Sequence, residues 1–201
     1  MYNGTMPTFV PFGIDCDPAM MLDHSGLRTR SMPFDWVGAY PEYIKHSLDT
    51  DFKEWFDQSN LSYKKASDGR DFTTCKPYFP YIHAAINPEA GFFNHHNLTD
   101  PEIQEKFKNR IERFKQLISS DEHIIFLTTN AVEPLREHGL LDYFKRDART
   151  DFVFLVWEQS GRNVVEKSIK DGFTVITYFS KNKMYNYPVM SAIGDALKSL
   201  D

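Results

Sequence analysis

Cys16 and the adjacent pair His95-His96 are the residues of this chain whose types could carry covalent chemistry. A thiol attacks a carbonyl and an imidazole takes its proton, and the two need only be brought together by the fold. Cys16 stands in Gly13-Ile14-Asp15-Cys16-Asp17-Pro18, after the apolar run Thr8 to Ile14 and before an amphipathic stretch that closes at Gly26. Asp17 followed by Pro18 reads as an N-cap and a first helical position. The cysteine therefore falls at a strand-to-helix turn, where unpaired N–H groups and the positive helix end favour a thiolate and an oxyanion. The neighbours oppose this: a carboxylate about 6 Å away costs a thiolate roughly 0.7 to 3 kcal/mol at an effective dielectric between about 80 and 20. Asp15 and Asp17 make two of them, and the other reading of Cys16 is a small buried hydrophobe.

The histidines sit in Phe92-Phe93-Asn94-His95-His96-Asn97, just before a helix start at Thr99-Asp100-Pro101-Glu102. One of them could be the general base to Cys16, or the pair could be a surface feature without a role. No His-x-x-x-His or Glu-x-x-His spacing accompanies them, so neither a metal nor another cofactor is expected. Asp35, between Phe34 and Trp36 in the knot Ser31 to Trp36, is expected to be partly buried and to need a partner. That partner is either backbone N–H or a histidine that Asp35 orients. Cys75 and His83 lie in the least patterned part of the chain and carry no motif.

The elements that must position these residues follow from periodicity and punctuation. Thr8 to Ile14 reads as a strand, central by its apolarity although Pro11 argues for an edge. Helices are expected over Pro18 to Ser25, over Tyr40 to Asp57 with a break at Asp49-Thr50-Asp51, and over Glu102 to Ser119. The last has Ile103, Phe107, Ile111, Phe114 and Leu117 on one face, with Lys106, Lys108, Arg110, Arg113 and Lys115 read as a solvated basic face, the alternative being that Arg110 or Arg113 closes over the active-site rim. His123 to Leu127 and Asp151 to Trp157 are strands, separated by a helix from Val132 to Ala148 that Gly139 can interrupt. Val164 to Ser168 and Phe173 to Phe179 form a hairpin around Asp171-Gly172, and Pro188 to Leu200 closes the chain as a helix. Residues 58 to 94 fit short strands or ordered loops.

Composition bounds the rest. A length of 201 residues suits a single domain, 1 to 201, and 17 Phe, 10 Tyr and 3 Trp are enough to fill its core with rings. The net charge of −5 offers no basic footprint for nucleic acid. Two distant cysteines do not form a disulfide framework, and Met1 to Pro7 lacks a signal-peptide pattern. No stretch reaches the length of a transmembrane helix. A soluble, cytoplasmic protein is expected; its oligomeric state is not legible.

Gly13-Ile14-Asp15-Cys16, Gly26-Leu27-Arg28 and Pro33-Phe34-Asp35-Trp36, then the His pair, Arg110-Ile111-Glu112-Arg113-Phe114 and Ile124-Ile125-Phe126-Leu127, occur in this order. The series resembles a mostly bacterial family described as papain-like cysteine peptidases, over most of residues 8 to 160. The resemblance implies a thiol hydrolase or acyl transferase acting on a peptide, amide or other acyl substrate. Cys16 would be the nucleophile. The base would be His96 or His95, with His96-Asn97 the better match to a histidine followed by a polar residue. Asn130, at a strand end after the histidine, stands where papain-like enzymes orient the imidazole, and Asp35 is the other candidate for that role. Backbone N–H groups after Cys16 would form the oxyanion hole. The papain context itself is absent, with no upstream Gln and no Cys-Gly-Ser-Cys-Trp.

The fold expected from these readings is α/β, a central mixed sheet flanked by helices with Cys16 at a strand-to-helix turn. Such a scaffold also serves the alternative, a non-catalytic ligand-binding or carbohydrate-pathway module in which Cys16 is structural.

Overall fold

Alternation along the strands divides the core in two. In a computed structural model that describes residues 6–66, 69–78, 93–145, 149–181 and 187–200, Val10, Phe12, Ile124, Phe126, Phe152, Phe154 and Val175 point to one face of a five-stranded sheet. Phe9, Ile125, Leu127, Val153, Leu155, Ile176 and Tyr178 point to the other. The period of two puts successive apolar side chains on opposite sides, so a strand buried on both faces is apolar throughout.

The sheet consists of β1 (Thr8–Pro11), β5 (Ile124–Thr128), β6 (Thr150–Gln159), β8 (Phe173–Ser180) and β7 (Val164–Lys170), in that spatial order. The first four are parallel and β7 is antiparallel at the edge. Helices α1 (Asp17–His24) and α6 (Tyr187–Lys198) cover the second face, with Met21, Leu22, Ile193 and Leu197 buried against it. The first face is covered by α2 (Pro41–Asp49), α3 (Pro101–Ile118), α4 (Val132–Glu137) and α5 (Leu140–Phe144). The expected α/β architecture, a mixed sheet between helices, is the observed one. A smaller antiparallel sheet, β2 (Leu61–Lys65), β3 (Asp71–Cys75) and β4 (Phe93–Asn94), occupies the region that periodicity left open.

Most of the described rings pack in the core. Trp55 meets Phe52 and Phe93 edge-on, each at 5.0 Å between centroids, while Phe126 packs on Phe144 at 4.5 Å and on Phe152 at 5.3 Å. Each such side chain contributes about 1.5 to 3 kcal/mol through burial, with a further fraction from ring geometry.

Two boundaries, those of β1 and of the helix after it, differ from expectation, and the other breaks, starts and turns fall where they were expected, each for a local reason. β1 is an edge strand: the Phe12 N–H still donates to the Leu127 carbonyl at 3.0 Å, and Pro11, which has no N–H, falls on the side of the strand where no ladder partner is needed. The helix after it begins one residue early, so Cys16 and not Asp17 is its N-cap. The Tyr40 to Asp57 pattern ends at Asp49 because Asp51 and Phe52 take positive φ, and a single 3₁₀ turn, Lys53–Phe56, follows. Gly139, at φ +66°, separates α4 from α5. Asp100 caps α3 by accepting the Glu102 N–H at 2.9 Å with Pro101 next. Asp171 and Gly172, at φ +53° and +81°, make the β7–β8 hairpin. No helix among the described residues is long and apolar enough to cross a membrane. His83 lies outside the described residues.

Candidate active site

Two clusters, joined by one extended segment, hold the candidate residues. The first surrounds the Cys16 turn. A Cβ on Gly13 would lie 2.5 Å from Thr129 Oγ1 and 2.7 Å from Pro18 Cγ, so glycine alone lets the loop after β1 close on the loop after β5. Across this contact the Thr129 hydroxyl donates to Asp15 Oδ1 at 3.2 Å. Asn130, buried, donates through Nδ2 to the carbonyls of Phe12 at 3.3 Å and Ala39 at 3.0 Å. The Tyr178 hydroxyl donates to the buried Asp17 carboxylate at 3.3 Å.

Cys16 is a half-buried free thiol. Burial pushes its pKa up to about 11, and Asp15 and Asp17 push the same way against Arg70. Roughly one thiol in ten thousand is then ionised at pH 7. Of the backbone groups expected to form an oxyanion hole, the Asp17 N–H is taken by Asp15 Oδ1 at 3.2 Å and Pro18 has none. Cys75 is buried and free as well, its pKa raised by burial to about 12.

The second cluster surrounds Asp35. This carboxylate is wholly buried, and its Oδ2 accepts from Arg28 Nε at 3.0 Å, Arg28 Nη2 at 2.6 Å and the Met32 N–H at 3.1 Å. Burial raises the Asp35 pKa against the pull of Arg28 and, more weakly, of Arg110. The Arg28 guanidinium also lies 5.8 Å from the centroid of the Trp36 ring, whose edge-on neighbour at 6.1 Å is His95. Trp36 and His95 both have left-handed backbones, φ +61° and +68°. His96 packs edge-on against Phe107 at 5.0 Å, and its buried Nε2 has no hydrogen-bond partner among the described residues. Burial, then Arg110, His95 and Lys106, depress its pKa to about 4, so the ring is neutral at pH 7.

Arg110 and Arg113 were expected on a solvated face with the lysines of α3. Instead both are half-buried: Arg110 lies over Phe107 at 4.5 Å, and Arg113 Nη2 donates to the Ser31 carbonyl at 3.0 Å. Spacing places them beside the apolar stripe of Phe107, Ile111 and Phe114, so that long stems bury while the Arg113 head reaches the Ser31 loop and the Arg110 charge acts on Asp35. Their i, i+3 pairing next to that stripe was the available signal. Arg70 and Arg28, the other cations of the two clusters, had no local signal beyond the Gly-Leu-Arg triplet.

The segment Val37 to Ala39 connects the clusters. Val37 bridges Phe93, two residues before His95, and the Ala39 N–H donates to the Gly13 carbonyl at 2.8 Å. Asp35 is linked to His95 through Arg28 and Trp36, His96 packs on Phe107, and Asn130 ties the turn that carries Cys16 to Ala39. The charges acting on the thiol are Asp15, Asp17 and Arg70; those acting on His96 are Arg110, His95 and Lys106. Among the described residues no group of three or more His, Cys, Asp or Glu is placed to hold a metal ion.

Fold and site define an α/β protein with a mostly parallel sheet and a cysteine capping the helix that follows its first strand. Residues 7–156, about three quarters of the chain, match the family described as "Putative papain-like cysteine peptidase (DUF1796)", and the chain belongs to that family. No curated protein and no solved structure matches it significantly.

Proposed function

We propose that the protein is a thiol hydrolase or acyl transferase of the papain-like type, with Cys16 as nucleophile. The observation that carries this reading is the position of Cys16 as N-cap of α1, at the carboxyl end of a strand, in a chain whose family is that of a cysteine peptidase. With burial raising the thiol to about 11 and depressing His96 to about 4, both are neutral at pH 7 and a pre-formed thiolate–imidazolium pair is disfavoured. The chemistry that fits is general-base catalysis, in which the proton leaves sulfur as sulfur attacks. The exposed His95 suits the base better than His96, whose neutral form is pinned by burial. Sulfur bonds to the carbonyl carbon, its proton passes to the imidazole, and the imidazole protonates the departing amine or alcohol. Water then adds to the thioester, giving the acid and restoring the thiol.

In this reading Arg70 is the cation for the oxyanion. Asn130 and Asp35 are positioning residues: Asn130 ties Ala39 to β1, and Asp35 fixes Arg28 beneath Trp36, the ring that His95 meets. The raised thiol pKa favours one alternative, a ligand-binding module in which Cys16 is structural.

The test is acylation by p-nitrophenyl acetate, read as p-nitrophenol release and as acetyl mass on the Cys16 peptide. Acetylation of Cys16 that falls 10²-fold or more in His95→Ala or His96→Ala supports the enzyme and names its base. Release that is unchanged in Cys16→Ser, or acetylation indifferent to both histidines, leaves the binding module as the function.

A further inference from the structure

A groove of about 590 Å³ opens beside the Cys16 turn. Three of its lining residues hold the neighbours of that cysteine: Ile14 precedes Asp15, Thr129 donates to Asp15 and Tyr178 donates to Asp17. From there it runs over the face of β6, β8 and β7. Its floor includes Phe154, Val156 and Val175, and Ile14 and Val156 are two of the large apolar side chains that remain exposed, at 37% and 39%.

Charge is distributed unevenly along it. Glu158, at the carboxyl end of β6, and Glu133, in the first turn after β5, line the end near Cys16. Lys170 lines the other end. The register places Lys170 opposite Phe173 and Phe179 opposite Glu158, with Thr174 beside Val153, so Lys170 lies six residues of β6 from Glu158. At about 3.3 Å per residue the separation along the strands is roughly 20 Å. The side chains of Glu133, Glu158 and Lys170 make no ion pair among the described residues, although carboxylates and ammonium face the same groove.

A groove of this volume, with an apolar floor and unpartnered charges of opposite sign at its ends, is built for an extended, dipolar ligand. We infer that it takes a peptide segment of about six residues, with a cationic side chain at the Cys16 end and a carboxylate at the Lys170 end. As substrate recognition this rests on the hydrolase reading above; as binding it stands alone. It makes the acyl substrate a peptide cut beside a basic residue.

The experiment uses Cys16→Ser protein and dye-labelled peptides read by fluorescence anisotropy. The probes carry Arg and Asp at opposite ends of a six-residue Ala/Leu segment, in both orders, beside a neutral Gln/Asn counterpart. The expected result is at least tenfold tighter binding of one dipolar peptide than of the neutral one, weakening as salt rises. Glu158→Gln with Glu133→Gln should abolish the preference, and Lys170→Glu should transfer it to a peptide with Arg at both ends. All three substitutions are at exposed positions, and unchanged thermal unfolding of each variant shows that folding is not the cause. Equal binding of dipolar and neutral peptides, or a preference indifferent to these variants, overturns the inference while leaving any acylation of Cys16 intact. Dipolar binding by a protein whose Cys16 is never acylated upholds the groove and overturns the enzyme.

Discussion

Arg28 and Asp35, seven residues apart, meet inside the protein through two hydrogen bonds to a single carboxylate oxygen, Nε at 3.0 Å and Nη2 at 2.6 Å. A second half-buried guanidinium, Arg110, acts on that carboxylate, and Arg113 beside it donates to the Ser31 carbonyl at 3.0 Å. The pair links Gly26-Leu27-Arg28 to Pro33-Phe34-Asp35-Trp36 and places Trp36 against His95.

Removal of one partner from a buried pair leaves the other charge uncompensated, which costs about 3 to 5 kcal/mol. Asp35→Asn keeps the shape and deletes the charge that faces Arg28 and, more weakly, Arg110. Urea denaturation of this variant should show a loss of that order. A loss below about 1 kcal/mol would mean that Asp35 is not the counter-ion holding Arg28.

His96 makes stability pH-dependent. Its folded pKa, about 4, lies below the 6.5 of an ordinary imidazole, so the unfolded chain binds the proton first as pH falls. The stability from the neutral ring is complete above about 6.5 and is lost progressively toward 4, by about 3 kcal/mol in total. His96→Gln should flatten that part of the stability profile. Equal slopes in the two proteins between pH 4 and 6.5 would show that the ring is not held neutral.

The Cys16 thiol should behave as un-ionised at neutral pH. With Cys75→Ser as background, iodoacetamide alkylation should climb about tenfold per pH unit from 7 toward 10, without a plateau near 8.5. Asp15→Asn should speed it at fixed pH by removing a repelling charge, and Arg70→Ala should slow it. An inflection near neutrality would instead identify a pre-formed ion pair with one of the histidines.

Asn130→Ala should loosen the Cys16 turn as well as the fold. It deletes donors to the Phe12 and Ala39 carbonyls, both buried bonds, at a cost of about 1 to 3 kcal/mol. Hydrogen exchange should show faster opening around residues 12 to 18 and 37 to 39. Destabilisation without any change there would place the role of Asn130 elsewhere.

Much of this was legible in order along the chain, because the signals are local. The Asp100-Pro101 start of α3, its apolar stripe, the Asp171-Gly172 hairpin, the apolar strands around Phe126 and Phe154, and a cysteine between strand and helix each depend on residues a few positions apart. The family resemblance, too, was carried by short motifs, and residues 7–156 match that family. Tertiary structure alone decided the rest. β1 went to the edge of the sheet, and Arg110 and Arg113 turned inward because a buried carboxylate and a loop carbonyl far off in sequence, Asp35 and Ser31, draw them. Val37 to Ala39 tied the histidine turn to the cysteine turn. Burial with two flanking carboxylates raised the thiol to about 11. Periodicity reports which face of an element is apolar; it carries no information on which distant charge will lie opposite, and the electrostatics of a site are made of those distances.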